Sequence, residues 1–357
     1  MAWLFRSEFD TATTIALWSI AAVLATTIVL FVYTMGLRLV TISATRRRDA
    51  FVTAWRNVFA HAMVSERAAA AATLPGIHRH NRIDLLEEWN RARSIVEGSA
   101  VANLLVLAQR TGIPALAQSL LGNRRIRSKI LAVQTIGHLQ DHSHRDEVRD
   151  LVAHENTALS ITAAGALVDI DPDFGVSVVV PMINDRRDWP KNRVSILLRH
   201  AGSERISEPL YRAIRSADAA GRTYLLQFAR LIEAEILDAL VADLLRNSSD
   251  PGVLNAALKL VSGFGSVPRI AALTQHDAWY VRMQAAKVLG RVGQQEHLSL
   301  LEAMLDDAEW WVRYRAAQSI AALPFLGPNQ LRQLRRRQAD PYSVDILQQA
   351  FAEVGLA

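Results

Sequence analysis

The histidines of this chain are its first candidates for chemistry, but their spacing does not build a metal or catalytic site. His78 and His80 stand two residues apart in a predicted loop, where two imidazoles could bind a metal, yet no third ligand is evident. The chain has no cysteine, which excludes disulfides, thiolate metal sites and a cysteine nucleophile. It also lacks HExxH and GxSxG motifs, and Gly263-Phe-Gly265 is too isolated to indicate a phosphate-binding loop. We therefore predict no catalytic residue, no metal and no cofactor.

Aromatic residues recur at the same place in a repeated pattern near the C-terminus. Trp279 aligns with Trp310, and Tyr280 aligns with Trp311. Such side chains at successive turn edges would form a ridge. They could only hold the turns together, or they could anchor a partner, since Trp, Tyr and Arg dominate interface hot spots. The anchor interpretation predicts that the tryptophans of the ridge are exposed. The candidate protein-binding residues are Trp189, Trp279, Tyr280, Trp310, Trp311 and Tyr314.

An internal repeat places these side chains. The segment 277–286 aligns with 308–317, so that Arg282 matches Arg313. Weaker copies recur toward the middle of the chain. Each unit reads as two helices joined by a short polar turn, with small residues at the centre of the second helix that let neighbouring helices approach closely. A hairpin of this kind buries its apolar face only against the next hairpin, so stacking is required for stability.

The pattern resembles the short HEAT-like repeats, a type also seen in phycobilisome-lyase-related proteins. The resemblance covers roughly residues 100 to 350, and it implies a curved solenoid that binds other proteins. It also leaves open an alternative, a lyase-type protein that handles a bound small molecule or a modified protein. Some HEAT-like proteins hold a di-iron centre through repeated His-Glu pairs, but His154-Glu155 is the single such pair here. The matching residues are Asp277, Val281-Arg282-x-x-Ala285-Ala286, Leu289-Gly290, Asp307, Val312-Arg313-x-x-Ala316-Ala317 and Leu323.

The resemblance also places a Val-Arg pair at the start of each second helix. Arg282 and Arg313 could each reach an aspartate at the turn, with Asp277 and Asp307 as the expected acceptors and Arg127 as a weaker copy. An aspartate before a helix can also cap its free N–H groups. We interpret these four residues as a structural ladder.

A run without charged residues from 11 to 37 predicts a transmembrane helix. This run is longer than the roughly 20 residues that cross a bilayer, and Trp3 and Tyr33 suit its two interfaces. A cleaved signal peptide is the rival interpretation. Against it, the start of the chain carries Glu8 and Asp10, and the apolar run is longer than the roughly 7–15 residues typical of signal peptides.

Flanking arginines predict the orientation of this helix. Arg6 is the one arginine before the run, whereas a cluster follows it. The positive-inside rule therefore predicts a single-pass protein of the bacterial inner (plasma) membrane with its C-terminal domain in the cytoplasm. The membrane-flanking arginines of that cluster are Arg38, Arg46, Arg47 and Arg48.

The segment after the apolar run predicts amphipathic helices. Apolar residues from Phe51 to Met63 recur at helical spacing, and Leu74-Pro75-Gly76 would end this helix before a second one, 83–96. The apolar stripe could pack on the first repeat, or it could lie on the membrane or against a partner's helix.

These observations predict an all-α protein with four segments. They are a short tail (1–12), a transmembrane helix (13–37), basic juxtamembrane amphipathic helices (38–98) and a HEAT-like solenoid of helical hairpins (99–357). The expected function is a membrane-tethered, non-enzymatic scaffold that binds protein partners at the cytoplasmic face, within an envelope polysaccharide or secretion assembly. The net charge of +5 is dispersed along the chain, so the expected partners are proteins and the lipid bilayer, and nucleic acid is not expected.

Overall fold

The computed structural model of the chain describes residues 2–64, 73–263, 267–292, 294–338, 340–353 and 355, without the side chains of 2–12 and 267. Within these ranges all regular secondary structure is helical. This agrees with a composition rich in Ala and Leu, the residues that cost least in a helix. Internal contacts divide the chain into two units, Met1–Leu139 and Gln140–Ala357. The first unit therefore includes the predicted juxtamembrane segment, which ends at residue 98, together with residues 99–139 of the predicted solenoid.

Unit 1 contains five helices within its described residues. The first is much longer than the others and carries the apolar run at its N-terminal end. The helices are α1 (Ala2–Val64), α2 (Arg82–Ser94), α3 (Ser99–Thr111), α4 (Ile113–Leu121) and α5 (Ile126–Leu139).

Helix α1 joins three predicted segments into one. The tail, the transmembrane helix and the first juxtamembrane helix are continuous over 63 residues, or about 95 Å at 1.5 Å per residue. The most apolar stretch of α1 is not buried anywhere in the protein. Among the described residues α1 is the one helix long and apolar enough by itself to cross a membrane, a property shared by membrane spans and signal sequences. The predicted continuation of this helix over 65–72 lies outside the described residues.

The C-terminal part of α1 packs against the rest of unit 1. Trp55, Phe59 and Ala62 are buried, and they share one apolar core with Leu86 and Trp89 of α2. The same core includes Leu104 and Leu107 of α3 and Ile113 of α4. Of the two interpretations of the apolar stripe, packing on the neighbouring helices is therefore confirmed.

Ion pairs between α1 and α2 reinforce this packing, and one of them involves Arg48. Arg48 donates to Asp84 at 2.7 Å and pairs with Glu87 at 3.3 Å, while Arg56 pairs with Glu88 at 3.2 Å. Arg48, one of the arginines predicted to flank the membrane, is paired with carboxylates of α2. The reason is that α1 continues unbroken past the apolar run and brings Arg48 alongside the first turns of α2.

Unit 2 is a series of helical hairpins. The helices are α6 (Arg145–Val152), α7 (Thr157–Ile170), α8 (Pro172–Met182), α9 (Lys191–Ala201), α10 (Ser203–Ser216), α11 (Ala219–Leu225), α12 (Ala234–Asn247), α13 (Pro251–Leu260), α14 (Val267–Leu273), α15 (Trp279–Val292), α16 (Leu298–Ala303), α17 (Trp310–Ala321), α18 (Pro328–Arg337) and α19 (Pro341–Glu353). Short 3₁₀ turns extend connections in the described part of this unit, at His142–His144, Leu226–Leu231, Gln295–His297 and Met304–Asp306.

The second helices of the hairpins form the closest-packed series. They are α7, α9, α11, α13, α15, α17 and α19, and they begin at fairly even intervals along the chain. In the C-terminal half, α13 contacts α15, α15 contacts α17, and α17 contacts α19. The first helices α8, α10, α12 and α14 contact one another in the same order. This is the stacked arrangement that the sequence repeat predicts.

Small residues allow the second helices to approach closely. Ala285 and Ala286 of α15 and Ala316 and Ala317 of α17 are fully buried. At Gly290 the approach is closer still, because a Cβ atom there would lie 2.5 Å from the Cβ atom of Ser319. The predicted role of small side chains in the second helices is confirmed at these positions.

Candidate protein-interaction site

The N-terminal ends of α15 and α17 present aromatic side chains to solvent. Trp279 begins α15, and Trp310 and Trp311 begin α17. Their exposed fractions are 38%, 41% and 55%, unusually high for tryptophan. The prediction that these three rings are exposed is confirmed. We refer to Trp279, Tyr280, Trp310, Trp311 and Tyr314 as the aromatic ridge.

Ring contacts hold the members of the ridge in place. Trp310 packs edge-on against Trp311 at 4.8 Å between centroids and stacks on Tyr314 at 5.0 Å, with planes 10° apart. Trp279 meets Tyr280 edge-on at 5.8 Å. Both tyrosines are half-buried, whereas the tryptophans are exposed. The exposed rings are therefore preorganised against less exposed neighbours, which lowers the entropy cost of burying them in an interface.

Hydrogen bonds orient Tyr314 beneath Trp310. The Tyr314 hydroxyl donates to Glu353 of α19 at 2.6 Å. This bond raises the pKa of Tyr314 and, together with a bond from Gln318, lowers the pKa of Glu353. The last helix of the stack thereby fixes the ring on which Trp310 rests.

Trp189 does not belong to the ridge, and its prediction as an exposed binding residue is corrected. Its side chain is 1% exposed, and its indole N–H donates to the Ser160 hydroxyl at 3.0 Å. The guanidinium of Arg186 lies 5.4 Å from the ring centre. The indole instead ties the loop before α9 to the interior of α7, because the ring turns inward from the residue before the N-cap of α9 and bonds to Ser160.

The predicted ladder exists, with a different pairing. Arg282 donates from Nε to Asp307 at 2.7 Å and from Nη2 to the other oxygen of that carboxylate at 2.8 Å. Its Nη1 donates to the backbone carbonyls of His276 and Asp277 at 2.8 and 2.9 Å. Asp277 thus contributes its backbone oxygen to Arg282, not the carboxylate that was expected. The carboxylate partner comes from the next repeat, so this arginine joins two successive loops.

Arg313 holds the loop that leads into the exposed tryptophans. Its Nη1 donates to the backbone carbonyls of Asp307 and Ala308 at 2.6 and 3.0 Å. The Asp307 carboxylate also accepts the backbone N–H of Glu309 at 2.9 Å. Burial acts to raise the pKa of Asp307, but the bonds from Arg282 and Glu309 outweigh it, and the net pKa is lowered. Asp307 therefore remains charged and fixes the residues immediately before Trp310.

A second loop connection was not predicted from the sequence. Arg186 donates two hydrogen bonds of 2.9 Å to the Asp188 carboxylate. It also donates to the backbone carbonyls of Val152 and His154, in the preceding loop, at 3.2 and 3.0 Å. The hydrogen bonds from Arg186 and from Thr157 lower the pKa of Asp188 to about 2. Here the arginine lies in the later loop and reaches backward, whereas Arg282 reaches forward. The sequence does contain a signal for this connection, the Arg-x-Asp spacing of Arg186 and Asp188 in a turn. The repeat pattern does not include it, because that pattern is defined by Val-Arg pairs at the start of a helix.

A cleft between α15 and α17 was also missed. Its volume is about 450 Å³ and it lies on the same pair of helices that begin at the ridge. Three of its lining side chains are cationic and none is acidic. The signal in the sequence was the spacing of basic residues on two adjacent second helices. The lining residues are Lys287, Gly290, Arg291, Arg315, Gln318, Ser319, Ala322 and Pro324.

The loop histidines form a stacked pair of rings. The ring centres of His78 and His80 lie 5.6 Å apart, and the two planes are nearly parallel. In the ranges that the structure describes, no group of three or more histidine or acidic side chains is arranged to hold a metal ion.

Comparisons with known proteins identify the repeat type in the C-terminal part of the chain. The family model for HEAT repeats matches residues 237–321 and 266–353. Among solved structures, an engineered protein aligns over 86% of this chain and 96% of its own, at 14% identity and a TM-score of 0.34. The YibA protein of Escherichia coli aligns over 80% of this chain and all of its own, at 12% identity and a TM-score of 0.32. No curated protein matches the chain. The part of unit 2 that carries the aromatic ridge is therefore built from HEAT repeats.

Proposed function

We propose that this protein is a membrane-tethered, non-enzymatic scaffold that binds a protein partner through the aromatic ridge of its HEAT repeats. The observation that carries the proposal is the pair Trp310 and Trp311, which are exposed side by side at the start of α17. HEAT repeats commonly serve as protein-binding scaffolds, and tryptophan is among the residues most enriched in interface hot spots. The ladder of Arg282, Asp307 and Arg313 supports this role because it fixes the loop from which the two rings project.

The physical chemistry of the exposed rings supports a docking role over a stapling role. A tryptophan that only stapled two turns would be buried between them, as Trp189 is. Trp311 instead leaves 55% of its surface accessible although it already contacts Trp310. A large, rigid, amphipathic side chain in this position offers contact area at a low cost in side-chain entropy.

The uncovered apolar surface of α1 supports tethering to a bilayer. Large hydrophobic side chains from Ile15 to Val40 are between 41% and 74% exposed. Each square ångström of apolar surface in water costs about 25 cal/mol, so a long run of this kind requires a nonpolar environment. The uncharged run would be about 40 Å long as a helix, which exceeds the roughly 30 Å hydrocarbon core and allows some tilt.

The proposed orientation rests on the charge that flanks the apolar run. Arg38, Arg46 and Arg47 lie just beyond the apolar run and are exposed. This excess of arginine favours a cytoplasmic location for both units of a bacterial inner-membrane protein. A scaffold held there would bring a partner to an envelope polysaccharide or secretion assembly.

Site-specific cross-linking in cells would test the ridge. A photo-reactive phenylalanine analogue is introduced at Trp311 or, as a control, at Ile196, a large hydrophobic residue of α9 that is equally exposed at 57%. We expect a discrete cross-linked product from position 311, lost in the Trp310→Ala background, and none from position 196. Equal products from both positions, or none from position 311, would rule out docking on the ridge.

The absence of cysteine allows a clean test of topology. Single-cysteine variants Ser7→Cys and Ser216→Cys are treated with a membrane-impermeant maleimide in intact spheroplasts. Labelling of the first variant is expected without lysis, and labelling of the second only after lysis. The reverse pattern would overturn the orientation, and recovery of both variants in the soluble fraction would overturn the tether.

A further inference from the structure

The cleft between α15 and α17 has the composition of a carboxylate-binding site. Lys287 and Arg291 lie one turn apart on α15, and Arg315 faces the same space from α17. Gly290 and Ser319, which pack against each other where the two helices meet, also line the cleft, and Ser319 carries a hydroxyl. Three cations without a lining carboxylate create a positive potential that a low-dielectric wall strengthens.

A carboxylate of the protein itself, that of Glu353, is bound by Gln318, one of the residues that line the cleft. Glu353 accepts the Tyr314 hydroxyl at 2.6 Å and the Gln318 side-chain amide at 2.9 Å. The oxygen of that same amide accepts a bond from Arg315 at 2.8 Å. Arg315, Gln318 and Glu353 are therefore joined in one chain of hydrogen bonds that ends on a carboxylate. Hydrogen bonds from Tyr314 and Gln318 also lower the pKa of Glu353, which keeps it charged.

The ridge and the cleft lie along one stripe of α17. Trp311, Arg315 and Gln318 follow one another at helical spacings of four and three positions, so they share a face of the helix. Trp311 marks the start of this stripe, and the cleft occupies its C-terminal end. An extended peptide anchored on Trp311 could continue along this stripe and bring its next residues to the cations.

We infer that the cleft binds an acidic peptide segment of the partner, through the carboxylates of its Asp or Glu side chains. This inference rests on the proposed docking function and specifies the chemistry of the partner. Charge complementarity between the lining cations and the segment gives the contact its orientation and specificity. The apolar ridge and the basic cleft would together select a segment with an aromatic or aliphatic anchor followed by acidic residues.

Fluorescence anisotropy with a labelled hexaglutamate peptide tests the inference directly. The full-length chain in nonionic detergent is expected to bind hexaglutamate and not hexaglutamine. The Lys287→Glu, Arg315→Gln double variant should bind hexaglutamate about tenfold more weakly, since it removes two attractive charges and adds a repulsive one. Lys287 is exposed, so the single variant Lys287→Glu leaves packing intact and should still weaken binding several-fold.

The matched control is Lys259→Glu, which makes the same charge change at an exposed lysine of α13 that does not line the cleft. At physiological salt, where screening acts within about 8 Å, its affinity should stay within about twofold of the wild type. Equal weakening by both lysine variants would overturn the inference, because binding would then reflect net charge alone. Lack of hexaglutamate binding, or displacement of the peptide by inorganic phosphate at concentrations where acetate has no effect, would also overturn it.

The experiments distinguish failure of the proposed docking on the ridge from failure of the proposed acidic-peptide binding in the cleft. The Trp310→Ala, Trp311→Ala variant should bind hexaglutamate as the wild type does, because neither ring lines the cleft. A failed cross-linking experiment with intact hexaglutamate binding would reject the ridge function. Successful cross-linking without hexaglutamate binding would reject the acidic segment alone.

Discussion

Several arginine side chains donate hydrogen bonds to backbone carbonyls at helix ends and turns. These carbonyls have no backbone N–H partner within a helix. Arg282, Arg313 and Arg186 each donate to two backbone carbonyls at a turn, and Arg269 donates to the carbonyl of Leu245 at 2.7 Å. The planar guanidinium can satisfy two carbonyls and still bind a carboxylate with its remaining N–H groups. Lysine could not do this with one point charge, which gives a structural reason for arginine at these positions.

Removal of Arg282 should destabilise unit 2 strongly. In Arg282→Met, Asp307 loses its bidentate partner while it stays 10% exposed, and two loop carbonyls lose a donor. We expect a loss of about 2–4 kcal/mol in the free energy of unfolding, measured by urea titration in detergent. The control is Arg212→Met, which breaks an exposed pair with Glu208 and should cost at most about 0.5 kcal/mol. Similar values for the two variants would contradict the ladder as a structural connection.

Acid should weaken the loop connection at Asp188. The pKa of this residue is about 2 in the folded protein against an ordinary value of 3.8, so its stabilising effect is present above pH 3.8 and is lost as the pH falls through about 2. Asp188→Asn should therefore lower the thermal midpoint at pH 5, and the difference from the wild type should narrow between pH 4 and 2. Thr157→Val, which removes one hydrogen bond to Asp188, should show a smaller difference over the same range. A difference independent of pH would refute the assignment.

Helix contacts in unit 2 depend on which small residues face a neighbouring backbone. Gly290 lies against Ser319, and Gly175 lies against the backbone of Val168, where a Cβ atom would come within 2.7 Å. Gly165, in the middle of α7, has no atom within 4 Å of its Cβ position apart from its chain neighbours and the adjacent backbone of its own helix. The three glycines look alike in the sequence, but two of them set the distance between helices and one does not.

Alanine should therefore have opposite effects at two of these positions. Gly290→Ala would force α15 and α17 apart and should destabilise the protein by about 1–3 kcal/mol. Gly165→Ala adds a methyl group in open space and improves helix propensity, so it should stabilise by about 0.5–1 kcal/mol. Thermal and urea unfolding of the two variants would check this. A neutral Gly290→Ala would show that the two helices can separate at no cost.

Sequence patterns predicted the elements better than the contacts between them. Helical spacing and the internal repeat were sufficient for the hairpins and for the exposed tryptophans of α15 and α17, because both depend on local periodicity. The burial of Trp189 and the pairing of Arg282 with Asp307 depend on how one loop folds against the next. The basic cleft depends on two helices from successive repeats, and no single window of sequence contains it. These features require the stacking geometry.

At the scale of the whole molecule, apolar surface is distributed very unevenly. Helix α1 leaves its large hydrophobic side chains from Ile15 to Val40 exposed, while its C-terminal part buries Trp55 and Phe59 almost completely. Within unit 2, the exposed aromatic surface of the ridge is confined to a few rings at the starts of α15 and α17. The first feature is suited to lipid and the second to a protein partner, because a bilayer requires a long uninterrupted apolar length and a protein interface does not.

Charged substitutions in the middle of the apolar run should separate tethering from folding. Leu24→Arg with Val29→Arg should release the protein from the membrane fraction, since each arginine near a bilayer centre costs about 2.5–3.5 kcal/mol. Both positions are more than half exposed, so the unfolding of the packed helices should not change. Thr13→Arg, at the edge of the run, is the control and should remain in the membrane fraction. Retention of the double variant in membranes would exclude α1 as the tether.

Because α1 is one continuous helix, its packed C-terminal part is held at a fixed rotation and a fixed distance relative to its apolar part. Each inserted residue turns everything that follows by about 100° and moves it by about 1.5 Å along the axis. Seven extra residues between 43 and 49 would therefore lift the packed core of unit 1 by about 10 Å with its azimuth nearly unchanged, whereas two residues would turn it by about 200°. The length of this one helix therefore sets two quantities. One is the distance of the packed core from the apolar segment, the other is the direction in which the core faces, and insertions of different length change them separately.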